Sequence, residues 1–153
     1  MKILILDGGW QQLPAIRKAR QMRLRVLVAD YLENAPGRKE ADAFYLISTT
    51  DRERILELAR NENIDGILAF ASDPATATAA YVAEKLHLPG NPLRAAEILG
   101  NKAKLRELLL ELGIPAPRGA ILKQGMVQIQ ESGRGLLHVM KRWMFLEENL
   151  EKN

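Results

Sequence analysis

The residues best suited to chemistry stand at the ends of short apolar runs. Ile3 to Leu6 is closed by Asp7-Gly8-Gly9. Two glycines between a strand and a helix let a ligand approach the backbone and the N–H groups at the helix start, which favour anions. The pattern is not G-x-G-x-x-G, because position 12 is Gln and the third glycine, which permits close helix packing, is missing. A small-substrate loop and a plain tight turn fit Gly8-Gly9 equally well. Asp30 ends the run Val26–Ala29 and stands where a dinucleotide fold holds a ribose hydroxyl. Without the glycine fingerprint, a loop acid that caps its turn through Asn34 fits slightly better. Ser72-Asp73-Pro74 closes a third run, and Asp73 reads as a helix N-cap worth about 1 kcal/mol. Ser72 is then left to touch a ligand. Asn101-Lys102 opens a later helix. Lysine there mildly opposes the helix dipole, which suits a nearby phosphate, although an ordinary exposed lysine is the simpler explanation.

Composition narrows the remaining chemistry. The chain has 153 residues, no cysteine and two histidines, His87 and His138. Disulfides, thiolate nucleophiles, cysteine-ligated metals and multi-histidine metal sites are therefore excluded. With 22 basic and 19 acidic side chains, the net charge of +3 gives no argument for nucleic acid. The basic run Arg17, Lys18, Arg20, Arg23 and Arg25 reads as a solvated helix face. No apolar run reaches the ~18 residues of a membrane span. The N-terminal run reads as a strand and not a signal peptide, so a cytoplasmic protein is expected.

The elements that must position these residues alternate. Apolar runs at 3–6, 26–29, 44–47 and 67–70 fit strands of a parallel sheet buried on both faces. A helix opens at Pro14 with Leu13, Ile16, Ala19 and Met22 inward. Thr50-Asp51-Arg52-Glu53 has the form of a capping box, and the helix after it turns Ile55, Leu58 and Ala59 inward. An alanine-rich helix follows Asp73-Pro74 to about Leu86, and Leu88-Pro89-Gly90 leaves room for a short fifth strand. Asn91-Pro92 starts a short helix that Gly100 breaks. The next helix, capped by Asn101, turns Leu105, Leu108, Leu109 and Leu112 inward and ends at Gly113. The expected class is α/β, a Rossmann-like parallel sheet of order 3-2-1-4 with helices on both faces, since right-handed crossovers permit little else. Polar and glycine residues collect at the carboxyl ends of its strands, where open α/β sheets bind ligands. After Arg118 the character changes, and residues 136–150 carry an apolar stripe on a helical tail.

In order and spacing these segments resemble the opening of ATP-grasp ligases, a layout shared by carbamoyl phosphate synthetase large subunits, biotin carboxylases and D-alanine ligases. The resemblance runs over residues 1–122. It is carried by 2–16, by Val28-Ala29-Asp30, by Ala41-Asp42 with Ile47-Ser48-Thr49-Thr50-Asp51, by 65–74, and by Leu88-Pro89-Gly90-Asn91. Its most specific part is Asn101-Lys102-Ala103-Lys104-Leu105-Arg106 followed by Gly113-Ile114-Pro115-Ala116-Pro117. It implies a pre-ATP-grasp domain over 1–92, linker helices and the start of the ATP-grasp region over 93–122, and an atypical tail over 123–153. It implies that Gly8, Gly9, Trp10, Gln11, Asp30, Ser72 and Asp73 face a small carboxylate or amine substrate. Lys102 resembles the family's first ATP-contacting basic residue.

The tail departs from the family. Val139-Met140-Lys141-Arg142-Trp143 only echoes the family's second lysine, with Arg where proline stands, and Gly133-Arg134-Gly135 precedes that lysine instead of following it. The family's magnesium ligands fall beyond residue 153. The expectation is thus the substrate-side part of a carboxylate–amine ligase, shortened before the catalytic region. No catalytic or metal-binding residue of its own is expected, and ATP and magnesium belong to full-length relatives. The alternatives are a non-catalytic module that binds a small anion, or a Rossmann-like nucleotide binder. The apolar stripe at 136–150 suggests a homodimer, and no nucleic-acid or membrane partner is expected.

Overall fold

The computed structural model describes residues 1–116; the expected helical tail and its dimer contact at 136–150 lie outside the described residues. Four strands form one parallel sheet of order β3-β2-β1-β4: β1 Lys2–Leu6, β2 Arg25–Asp30, β3 Ala43–Leu46 and β4 Gly66–Ala69. Helix α1 (Leu13–Gln21) joins β1 to β2, a 3-10 turn (Pro36–Lys39) lies between β2 and β3, and α2 (Arg52–Glu62) joins β3 to β4. Helices α3 (Asp73–Lys85), α4 (Leu93–Leu99) and α5 (Lys102–Glu111) follow.

The two central strands are apolar from Ile3 to Leu6 and from Val26 to Ala29 because both sides of the sheet are covered. Alternation along each strand sends Leu4, Leu6, Leu27 and Ala29 to one side, where they meet Ile55, Leu56, Leu58 and Ala59 of α2 and Ala75 and Val82 of α3. Ile5, Val26 and Val28 go to the other side and meet Leu13, Ile16 and Ala19 of α1. The layers are therefore helix, sheet, helix. Arg52 of α2 reaches Glu97 of α4 at 3.0 Å, and the Tyr81 hydroxyl of α3 donates to Glu53 of α2 at 2.7 Å.

Several sequence expectations are corrected in detail. Leu88-Pro89-Gly90 joins no strand; the Leu88 N–H closes α3 on the Ala83 carbonyl at 2.8 Å, and Pro89 has no N–H to give a ladder. Phe70 is outside β4, because β1 stops at Leu6 and leaves it no partner. The α2 cap is Asp51, which accepts from Arg54 N at 3.2 Å, while Thr50 pairs its hydroxyl with Ser48 at 2.9 Å. The α3 N-cap is Ser72, which makes no side-chain cap bond, so Asp73 is the first helical residue and its carboxylate is not the cap. Met22 and Leu112, expected inward, are 61% and 62% exposed, because each follows the last turn of its helix.

One ion-pair cluster ties the sheet's amino edge to the end of α2. Tyr45 donates its hydroxyl to Glu62 at 2.7 Å, and Lys2 approaches the same carboxylate at 3.4 Å. The Tyr45 hydrogen bond and the Lys2 charge hold the Glu62 carboxyl below its ordinary range, against partial burial. A depressed folded-state value stabilises the fold above the ordinary carboxylate pKa, and that stabilisation is lost as pH falls through the depressed one. Urea titrations at stepped pH should therefore show wild type losing more stability than Glu62→Gln below about pH 4.5. Parallel acid profiles would contradict the assignment. In the core, Ile55→Ala should lower unfolding free energy by about 3 kcal/mol, read from the same titrations at neutral pH.

Candidate functional site

Parallel strands end with their loops on the same edge, and here the loops after β1, β2, β3 and β4 are locked together. Asp30, 3% exposed at the end of β2, spends both carboxylate oxygens on backbone. Oδ2 accepts from Gly8 N and Oδ1 from Leu32 N, each at 2.7 Å. Thr49, beyond β3, donates its hydroxyl to Asp7 Oδ1 at 3.0 Å. Gln12, at the start of α1, donates its amide to the carbonyls of Phe70 and Ala71 beyond β4 at 2.8 and 3.1 Å. Asp7 and Ala71 both adopt the left-handed region, at φ 67° and 51°, which non-glycine residues occupy only where their surroundings hold them.

Gly8 is packed against the loop between β2 and β3. The Gly37 N–H donates to the Gly8 carbonyl at 2.6 Å. A Cβ on Gly37 would lie 2.7 Å from Ile16 Cδ1 and 2.9 Å from both the Cα and the carbonyl oxygen of Gly8. Glycine is required there by this close approach of backbone to backbone.

The loops enclose an open cleft of about 810 Å³. It is lined by Asp7, Gly9, Gln11 and Gln12 from the first loop, Asp30, Tyr31 and Leu32 from the second, Ser48, Thr49 and Thr50 from the third, and Ala71 to Pro74 from the fourth. Of the residues singled out from sequence, the structure brings Gly9, Gln11, Asp30, Ser72 and Asp73 together here. Gly8 is buried beneath the cleft, and Trp10 is 78% exposed outside its lining. Lys102 stands exposed at the first turn of α5 and is not a lining residue; Asn101 caps that turn by accepting from Ala103 and Lys104 N at 3.0 and 3.1 Å.

Asp30 lines the cleft with each oxygen accepting one backbone N–H, and it caps its turn through Leu32 N and not Asn34. The sequence places Asp7 and Thr49 on the carboxyl edge without giving either a site role, and Gln12 reads there only as the missing third glycine. Gln12 carried one usable signal: a long amide in the place where a dinucleotide fold wants glycine. Among the described residues no group of three His, Asp or Glu is placed to hold a metal ion, and no helix is long and apolar enough to cross a membrane.

A parallel 3-2-1-4 sheet with its polar loops gathered over the carboxyl edge is the fold of the N-terminal domain of ATP-grasp enzymes. The chain's homologues belong to that superfamily, and the chain matches their N-terminal part. They are formate-dependent phosphoribosylglycinamide formyltransferases; the one from Hydrogenovibrio crunogenus is 30% identical over 115 residues, 74% of this chain and 29% of that protein. The chain thus spans less than a third of the length of the curated relatives it matches. Phosphoribosylglycinamide synthetase from Anaerococcus prevotii superposes with a TM-score of 0.67 at 21% identity, over 73% of this chain and 29% of that one. The biotin carboxylase domain of the Hydrogenobacter thermophilus 2-oxoglutarate carboxylase, a dimer solved with MgADP, ADP and bicarbonate, gives 0.61 at 21% identity, over 78% and 29%. No protein-family model matches the chain.

Two substitutions separate the packing of these loops from the cleft chemistry. Asp30→Asn places an amide N–H against a backbone N–H and should cost about 2 kcal/mol in chemical denaturation, with the Gly8 amide resonance moving. Gly37→Ala should cost about 2–3 kcal/mol through the forced retreat of Gly8.

Proposed function

We propose that residues 1–116 form the acceptor-side half of an ATP-grasp active site and that the cleft binds the amine-bearing group of a small substrate. The observation that carries this reading is the charge of the lining. Asp7, Asp30 and Asp73 contribute carboxylates, Ser48, Thr49, Thr50 and Ser72 contribute hydroxyls, and among the described residues no lysine, arginine or histidine lines the cleft. Asp30 already accepts a backbone N–H on each oxygen, and Asp7 has one oxygen engaged by Thr49. Asp73 remains the carboxylate with greatest freedom, exposed at the first residue of α3 beside Ser72. An ammonium group between Asp7 and Asp73 gains charge-assisted hydrogen bonds, whereas a phosphate there meets like charge. This reverses the preference for anions that the glycine loop alone suggests. It agrees with the relatives, whose names carry phosphoribosylglycinamide, a molecule with a glycinamide group.

The cleft does not fit a nucleoside triphosphate, for the same electrostatic reason. On this reading ATP and its magnesium sit in the remainder of a complete ATP-grasp assembly, with Lys102 as the first basic contact to the nucleotide. Magnesium-bound ATP supplies the phosphoryl group there. The described residues contribute only the positioning of the acceptor, which in such reactions is a large part of catalysis.

Titration of the 15N-labelled full chain with glycinamide, glycolamide and inorganic phosphate tests the reading. Glycinamide should shift the amides of Gly9, Thr50, Ser72 and Asp73. Glycolamide, with a hydroxyl for the ammonium, should bind at least about tenfold more weakly, and Asp73→Asn should weaken glycinamide by a similar factor. Equal binding of glycolamide, or phosphate shifting the same amides more strongly, would overturn it.

A further inference from the structure

We infer that Gln12 is a positioning residue: its buried carboxamide holds the strained Phe70–Ala71 turn and thereby aims Ser72 and Asp73 into the cleft. The inference rests on the acceptor-side reading for what Ser72 and Asp73 would bind, but the geometry of the latch is independent of it. Gln12 is 5% exposed, and its amide nitrogen spans from the start of α1 to two successive carbonyls beyond β4, at 2.8 Å on Phe70 and 3.1 Å on Ala71. Both hydrogens of the one NH2 group are thus directed at a single turn.

That turn is not self-sufficient. Ala71 is held at φ 51°, a conformation an L-residue leaves when released. The first helical residue after it has no help from the N-cap side chain, because Ser72 makes no cap bond. Within α3 the Thr76 hydroxyl donates to the Ser72 carbonyl at 3.0 Å, and from across the cleft Gln12 reaches the Phe70 and Ala71 carbonyls. Its oxygen side is confined as well: a Cβ on Gly9 would lie 3.0 Å from Gln12 Oε1, so a larger residue at 9 crowds the latch.

A polar side chain replacing the expected glycine at this position has a physical consequence. In a glycine-fingerprint loop the third glycine, replaced here by Gln12, lets the helix pack closely against the strand. Here that place is taken by the latch, which ties the loop after β1 to the loop after β4.

The test uses the 13C,15N-labelled full chain and two variants. Gln12→Leu keeps the size of the side chain and removes both donors. Gln12→Glu keeps the length and, when ionised, presents oxygens to two carbonyls. In both, the carbonyl carbons of Phe70 and Ala71 should move upfield at neutral pH, and the amides of Ser72 and Asp73 should shift. The amides of Leu4, Val28 and Val82 should stay in place. Lowering the pH should return the Gln12→Glu spectrum toward wild type, since the protonated acid donates again, while Gln12→Leu should show no such recovery. Asp7, Asp30 and Asp73 line the same cleft in all three proteins, so recovery is judged as the difference from wild type at each pH. Glycinamide affinity should fall about tenfold in Gln12→Leu. Unmoved Phe70 and Ala71 carbonyls, or shifts spread equally through the core, would overturn the role. Wild type that fails to bind glycinamide would defeat the functional reading alone, and the carbonyl shifts would still decide the latch.

Discussion

A parallel sheet ends every strand on the same edge with polar backbone groups and loops that have no ladder to join. In this protein the Asp30 carboxylate resolves that constraint at the centre of the sheet. One oxygen takes the Gly8 N–H from the neighbouring strand's loop and the other takes the Leu32 N–H of its own loop. A buried carboxylate without partners is costly, but two charge-assisted bonds at this spot fix where two loops begin. Gly8, so placed, receives the Gly37 N–H, and the loop between β2 and β3 folds down over the start of α1. The rest of the cleft is arranged around that point.

Three cross-links then extend the order outward, and each uses a different chemistry. Asp30 is a charge accepting from backbone, Thr49 is a hydroxyl donating to Asp7, and Gln12 is an amide donating to carbonyls. All three join loops distant in sequence, and Asp30 also fixes its own loop through Leu32 N. Their common effect is to make the cleft a property of the folded sheet and not of any one loop. Two of its residues, Asp7 and Ala71, can then be kept in left-handed backbone conformations that an isolated loop would abandon.

The sheet was readable from sequence because its physical cause is local. Burial on both faces makes each strand a short continuous apolar run, and the helices between them fix parallel order. The carboxyl-edge candidates followed from the same logic, and Gly9, Ser72 and Asp73 do line the cleft, as does Gln11, which came from the family resemblance. What was not readable depends on residues meeting across the fold. Gly37 matters only because its loop returns to Gly8, about thirty residues earlier in the chain. Gln12 looked like a defect in a glycine motif until the Phe70 and Ala71 carbonyls stood beside it. The capping box at Thr50 and Glu53 was matched as a pattern. Asp51 displaced it because its carboxylate reaches the Arg54 N–H, and Thr50 turned to Ser48.

Helix α5 is built on different terms. It has a good cap in Asn101 and a regular stop, where Gly113 at φ 67° lets the Ile114 N–H reach the Leu109 carbonyl at 2.8 Å. Yet it buries none of its residues among the described part of the chain, and α4 is the element it packs on. Its local unfolding free energy is therefore set by a few half-buried leucines, while β1 and β2 come apart only with the whole fold. Amide exchange would divide the molecule accordingly, with the central strands protected to the global limit and the last helix opening far more often. Mechanically, the arm that bears Lys102 can be redirected at little free-energy cost, while the cleft, to which α5 contributes no lining residue, keeps its shape.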